Sequence, residues 1–300
     1  MYLRLHRKIF KNISNKDSMS LLKGKRFKGS PLVSAVIAAH NEESHIAICI
    51  NSLLAQQYKK LEILVVENGN SKDRTLEIAQ EFAEQYAQVR AFSIPRVQKG
   101  PGNAWNFGVR KAKGQIVMIC GADLVYSKDY IKKGIEVLRT GKSIGIIHKE
   151  EKCNNLKNWW ARAFFYKRDS LNENGLSKVF SLIDKEYVLK RPFNSELGYA
   201  DDQTIYLTEG TEFMGADLLV GHTNPASFED TWDHSKWVGR SMRKPWNIVL
   251  VLPLFPLYSM YKTLRHLTSD FYIPFIFFLP IYYSIRYFAY FIESVKILVK

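Results

Sequence analysis

Asp123 closes the stretch Gln115–Leu124, QIVMICGADL, in which an apolar run gives way to small residues and one carboxylate. A run without polar alternation suits a strand covered on both faces, and ligands of open α/β sheets gather at the carboxyl ends of such strands. Asp123 is therefore the first candidate for chemistry, since a carboxylate there accepts a proton or holds a hard cation. An acid after a strand is equally a turn former or a helix cap, so the other reactive residues have to decide. Asp201 and Asp202 form an acidic pair in LGYADD, before a predicted helix Gln203–Glu209, where either is also suited to cap. Lys99 and Gly100 sit in a basic, flexible loop able to neutralise phosphate or simply to be solvated. His222 ends a short predicted strand, Leu218–His222, as a candidate metal ligand or a structural histidine. Cys49, Cys120 and Cys153 have no metal-type spacing and fit a reducing compartment.

The elements that position these residues alternate regularly. Predicted strands Leu32–Ala39, Leu61–Val66, Val89–Ile94 and Gln115–Cys120 are separated by predicted helices Ser44–Gln57, Thr75–Tyr86 and Asn103–Ala112. Ser71 or Asp73 is placed to cap the second helix. This order predicts a doubly wound, mostly parallel α/β sheet whose first half is Rossmann-like and nucleotide-binding. A helix Lys128–Arg139 and a strand Ser143–His148 extend it. Beyond them lie an aromatic helix Asn158–Lys167, carrying Trp159 and Trp160 as core or ligand-stacking residues, and a polar loop Asp169–Ser177.

The formal charge of +14 over 300 residues is unevenly spread. Residues 1–30 hold nine Lys/Arg against one Asp, and 246–300 hold five against two, leaving 29 basic against 26 acidic in 31–245. A near-neutral body excludes a nucleic-acid binder, whereas basic ends beside apolar segments fit an anionic membrane surface. The segments are Trp246–Tyr261 and Phe271–Ile285, both without a charge. A span needs about 20 apolar residues; the first is short and proline-broken, and the second reaches that length, to Ile292, with only Arg286 inside. The expected division is a basic arm 1–30, a catalytic domain 31–240 and a membrane-associated helical segment 241–300.

Five motifs follow one another in a fixed order: IAAHNEE at 37–43, VVENG at 65–69, NFG at 106–108, GAD at 121–123 and GYADD at 198–202. In that order they resemble the inverting glycosyltransferases of family 2, with the GT-A fold, over roughly residues 31–235. The family pattern runs I-P-A-Y-N-E-E, then V-V-D-D-G-S-x-D-x-T, G-x-x-x-A-x-N-x-G, D-x-D and an E-D pair. Here Ala38 stands for the proline, His40 for the tyrosine, Glu67-Asn68 for the aspartate pair, and Gly121 for the first acid of D-x-D. One extra residue lies between Gly69 and Asp73.

The resemblance implies a nucleotide-sugar donor whose base meets Glu67, with Ala39, Asn41 and Glu42 bordering the same pocket. Lys99, Gly100, Asn106, Ala122 and Asp123 complete the implied donor site. It also implies a divalent metal, Mg²⁺ or Mn²⁺, on Asp123, with His222 as an additional ligand, and a general base at Asp202, or failing that Asp201. The function it points to is transfer of a sugar, with inversion, to a lipid-linked or polysaccharide acceptor. The protein would be membrane-associated with its catalytic domain facing the cytoplasm. The alternative is a non-catalytic nucleotide-binding relative that scaffolds a membrane assembly, as Gly121 and Glu67-Asn68 depart from the family pattern. A nucleotidyltransferase is disfavoured because AAHNEE lacks the glycines of a phosphate loop.

Overall fold

The computed structural model describes residues 29–95, 100–141, 143–169, 180–195, 213–240, 254–268 and 270–299. These fall into two compact units, one drawn from Met1–Lys152 and Leu176–His222, the other from Cys153–Gly175 and Thr223–Lys300. The predicted helix Gln203–Glu209, the basic arm to residue 28 and the first part of Trp246–Tyr261 lie outside the described residues.

The first unit is a sheet covered on both faces. Strands β1 (Val33–Ala39), β2 (Leu61–Glu67), β3 (Val89–Ser93) and β4 (Ile116–Gly121) run parallel. Their connections carry helices α1 (Ile46–Leu54), α2 (Thr75–Gln85) and α3 (Gly102–Lys111). β1 explains the layering. Val33, Ala35 and Ile37 pack with Ile46, Ile50 and Leu53 of α1, whereas Val36 packs on the other face with Ala104, Trp105 and Val109 of α3. Side chains alternate across a strand, so a fully apolar run feeds two cores at once. α3 lies so close to the sheet that a Cβ at Gly108 would stand 2.2 Å from Val36 Cγ1.

The remaining strands are β5 (Leu124–Tyr126), β6 (Gly145–Cys153), β7 (Phe180–Asp184) and β8 (Phe213–His222). The eight-stranded order is β3-β2-β1-β4-β7-β6-β8-β5, and the pairs β4–β7, β6–β7 and β5–β8 are antiparallel. The parallel half is as expected, and the sheet continues beyond β4 in the antiparallel sense. Helices α4 (Tyr130–Leu138) and α6 (Lys185–Lys190) cover this half, and Asp184 caps α6 by accepting from Tyr187 N at 3.2 Å.

The second unit is helical: α5 (Trp159–Asp169), α7 (Phe228–Arg240), α8 (Phe255–Leu267) and α9 (Phe275–Val299). Arg162 of α5 forms a bidentate pair with Asp270 at 2.7 and 2.5 Å and stacks 4.5 Å above Tyr272. Trp160 packs edge-on against Phe278 and Phe228, which makes it a core residue, while Trp159 is half exposed. α9 contains Pro280 within its first turns, where Ser259 Oγ donates to the proline carbonyl at 2.9 Å.

Candidate active site

The parallel register brings three strand ends to one level. Ala39 sits opposite Glu67, and Ala38 opposite Gly121, so the turns after β1, β2 and β4 open on the same edge. The first two turns are laced together. Asn41 and Asn70 adopt positive φ of 56° and 60°, and Gly69 one of 73°, which folds both turns back over the sheet edge. Asn41 Oδ1 accepts from Lys72 N at 2.8 Å, Glu42 N donates to Thr75 Oγ1 at 2.7 Å, and Glu43 N donates to Asp73 Oδ2 at 3.0 Å. Asp73 also accepts from Thr75 N at 3.1 Å, just ahead of α2, whose cap position is Arg74 and carries no side-chain cap bond.

Glu67 is buried beneath this lacing. Oε1 accepts from Ser71 N at 2.9 Å and Ser71 Oγ at 2.8 Å, and Oε2 accepts from Ser93 Oγ at 2.8 Å. Burial pushes the carboxyl up, but the bonds from Ser71, Ser93 and Gly69 outweigh it and hold Glu67 below the usual carboxylate range. Its charge therefore shapes the turn that would face a base. Beside it, Asn68 Nδ2 donates to Gly100 O at 2.9 Å. Asn68 Oδ1 is buried without a hydrogen-bond partner among the described residues.

Asn106, expected at the donor, is hydrogen-bonded within the protein. Its amide is committed at both ends to the backbone of Phe193, donating to the carbonyl at 2.8 Å and accepting from the amide at 2.9 Å. The side chain fastens α3 to the segment after α6. The neighbouring Trp105 Nε1 donates to Cys120 O at 2.9 Å, fixing α3 to the end of β4.

Asp123 lies in the two-residue turn between β4 and β5. The antiparallel register of β5 with β8 pairs Leu124 with His222, which sets His222 beside Asp123. His222 Nε2 is 2.8 Å from Asp123 Oδ2, and Nδ1 is 2.6 Å from Glu151 Oε1 on β6. The imidazole is thus held between two carboxylates, one of which sequence reasoning missed. Gly121 permits this posture, because a Cβ there would stand 2.7 Å from Asp123 Oδ1. Glu42 reaches the same edge, bonded to His45 Nδ1 at 2.9 Å. Burial raises its pKa, opposed by the His45 bond and reinforced by the charge of Asp123.

The donor set suits a hard divalent ion. A carboxylate and an imidazole face each other, and a second carboxylate fixes the ring by its far nitrogen, the arrangement metal-binding histidines commonly use. Among the described residues no group of three His, Cys, Asp or Glu has the arrangement of a metal site. Ala39 and Ala122 are buried at the same edge, each 2% exposed, and Gly100 is buried beside Asn68. Lys99, Asp201 and Asp202 lie outside the described residues.

The family model described as Glycosyl transferase family 2 matches residues 34–196. An uncharacterised glycosyltransferase of Nostoc sp. is 30% identical over 116 residues, covering 39% of this chain and 35% of that protein. The probable glycosyltransferase YdaM of Bacillus subtilis is 27% identical over 276 residues, covering 84% of this chain and 64% of that protein. The chain spans about a third of the length of the first relative and just under two thirds of the second. Among solved structures, the mannosyltransferase PcManGT from Pyrobaculum calidifontis, in complex with GDP-Man and Mn²⁺, matches with a TM-score of 0.54 at 14% identity. The match covers 98% of this chain and 94% of that one, and the fold they share is GT-A.

Proposed function

The chain belongs to glycosyl transferase family 2, and from that premise we propose that it moves a sugar from a nucleotide-sugar donor to a lipid-linked or polysaccharide acceptor, with inversion, at the cytoplasmic face of a membrane. The observation that carries this reading is the placement of Asp123 and His222 against one another at the end of β4, where the laced turns of β1 and β2 also open. Donor recognition falls to that edge, with Asn41 and Glu42 on one turn and Glu67 and Asn68 on the next. Among the described residues Asn68 Oδ1 is a buried acceptor without a donor, and a nucleotide N–H or hydroxyl would supply one.

Inverting transfer is one displacement. The acceptor hydroxyl attacks the anomeric carbon, the bond from that carbon to the diphosphate oxygen breaks, and the hydroxyl proton passes to a carboxylate. We assign the proton to Asp202, with Asp201 as the alternative, because the base must stand on an element other than the one that carries Asp123. A divalent cation, when bound, supplies positive charge to the departing diphosphate. Asp123 and His222 would hold it, and Glu151 would keep His222 Nε2 turned towards Asp123.

Calorimetric titration of the full chain with uridine and guanosine diphosphates, with and without Mn²⁺, tests the donor site. Metal-dependent binding is expected, and its absence with every nucleoside diphosphate would overturn the reading. Asp202→Asn should abolish transfer while leaving donor binding nearly unchanged. Donor binding without transfer to any glycan or lipid acceptor would favour the scaffold alternative.

A further inference from the structure

The helical unit turns an apolar stripe outward on α8. α8 buries Ser259, Thr263 and His266, and turns outward Leu257, Met260, Tyr261 and Leu264, of which Leu257 is 65% and Leu264 60% exposed. Those four residues fall at i, i+3, i+4 and i+7, a continuous apolar stripe. α9 buries two charged groups beside its apolar core of Phe275, Leu279, Tyr282 and Tyr283. Arg286 is buried and donates to the hydroxyls of Tyr282 and Tyr290, and Glu293 is buried against Arg240 and Lys296. Phe277 and Ile281 meanwhile project at 76% and 60% exposure. Water selects the opposite arrangement, and contiguous apolar surface of this kind marks a binding face.

The charges identify the partner. Both acids after residue 246, Asp270 and Glu293, are buried and paired with arginines, whereas Arg265 and Lys296 are exposed. The helical pair therefore exposes cations and no acid among the described residues, and the arm of residues 1–30 carries nine Lys/Arg against one Asp. An apolar stripe with a cationic rim complements an anionic lipid surface.

α7 decides how that surface is met. It lies along α9, with Trp232 and Phe288 centroids 6.2 Å apart and Arg240 Nε 3.0 Å from Glu293. The approach is close enough that a Cβ at Gly239 would stand 3.1 Å from Glu293 Cβ. The free side of α7 exposes Glu229, Asp230 and Asp233. Lipid surrounding α9 would bring these three carboxylates into hydrocarbon, at about 2.5 kcal/mol or more for each. α9 is long and apolar enough to cross a bilayer by composition, but the charge on this neighbour disfavours a crossing.

We propose that α8 and α9 lie in the plane of an anionic bilayer, with their shared outer stripe sunk into one leaflet and α7 in water. The proposal rests on the membrane-face reading of the protein and specifies its geometry. The test is flotation of the full chain with vesicles of phosphatidylcholine, alone or mixed with phosphatidylglycerol. Binding should weaken about fivefold for each cation that meets the surface when the anionic lipid is left out, so about 25-fold or more if Arg265 and Lys296 both do. Leu257→Glu with Leu264→Glu should weaken it on the order of a hundredfold while leaving the melting temperature and nucleotide binding unchanged. Spin labels at Ile281→Cys and Glu229→Cys separate the geometries: the first should be shielded from a water-soluble relaxant and the second open to it. Shielding of both labels overturns in-plane seating in favour of a crossing helix. Absence of flotation with a dimer on sizing overturns it in favour of a second copy of the chain. If nucleotide binding is intact in a sample that does not float, only the membrane proposal falls; loss of nucleotide binding in the parent chain is the separate failure of the transferase reading.

Discussion

Glu151→Gln should weaken divalent metal binding about tenfold, and Glu151→Ala about a hundredfold. His222 Nδ1 stands 2.6 Å from Glu151 Oε1, and Nε2 2.8 Å from Asp123 Oδ2. The short contact is charge-assisted, and it dictates which ring nitrogen is turned to Asp123. Partners of this kind typically change metal affinity by roughly 10–100-fold, about 1.4–2.7 kcal/mol. Glutamine keeps an acceptor oxygen and loses the charge, so it belongs at the lower end; alanine removes both and belongs at the upper. The free Mn²⁺ signal in electron paramagnetic resonance, followed while the full chain is titrated in, measures the affinity directly, and a melting curve on each sample checks the fold. The mechanism adds a stricter condition. If Glu151 works through the imidazole, then in a His222→Ala background Glu151→Gln should change the affinity by less than about twofold. Equal Mn²⁺ binding by the parent and Glu151→Gln would refute the reasoning. So would an undiminished loss in the His222→Ala background, because Glu151 would then act through its charge alone.

Three further outcomes follow from the geometry. Gly121→Ala places a methyl where a Cβ meets Asp123 Oδ1 at 2.7 Å, so Asp123 must turn away; Mn²⁺ affinity should fall while stability stays within about 0.5 kcal/mol, and unchanged affinity would remove Asp123 as the ligand. Asn106→Leu deletes two bonds to Phe193 and should destabilise by about 2 kcal/mol, lowering the melting temperature by roughly 4–8 °C. An unchanged melting temperature with lost nucleotide binding would return Asn106 to the donor site. Burial pushes Glu62 up, yet bonds from Ser34, Lys113 N and Arg90 hold it below its ordinary value of 4.5. A depressed carboxyl stabilises the fold above that pH and loses its contribution as the pH falls below it, because the unfolded chain takes the proton first. Urea midpoints should therefore fall on acidification below pH 4.5, and Glu62→Gln should flatten that limb; an identical acid limb in the variant would show that Glu62 does not contribute.

The parallel half of the sheet was legible because its strands are buried on both faces and their apolar runs carry no competing period, as in LEILVVE of β2. The antiparallel half was not. β6 reads GIIHKEEKC, and its polar second half ends the apolar run at His148, although the strand continues to Cys153. Glu151 lies in that continuation. Its partner His222 is 71 residues away, and only the pairing of β5 with β8 and the order β6-β8 bring them together. Spacing along the chain carries no trace of such a contact.

The C-terminal segments were legible as apolar stretches, but not which side of each helix faces in. The stripe Leu257, Met260, Tyr261 and Leu264 has the spacing of a core face, and a core is what it would be in a soluble bundle. What reverses the reading is the content of the opposite side: Ser259 bonded to Pro280, His266 to Tyr283, and Arg286 to two tyrosines. Polar groups taken inward seek partners, and Ser259, His266 and Arg286 find them within the helical pair. A moment calculated from the sequence has the same magnitude for either orientation. Direction enters only with the partners, so polar residues that satisfy one another across a helical hairpin distinguish a lipid-facing pair from a buried one.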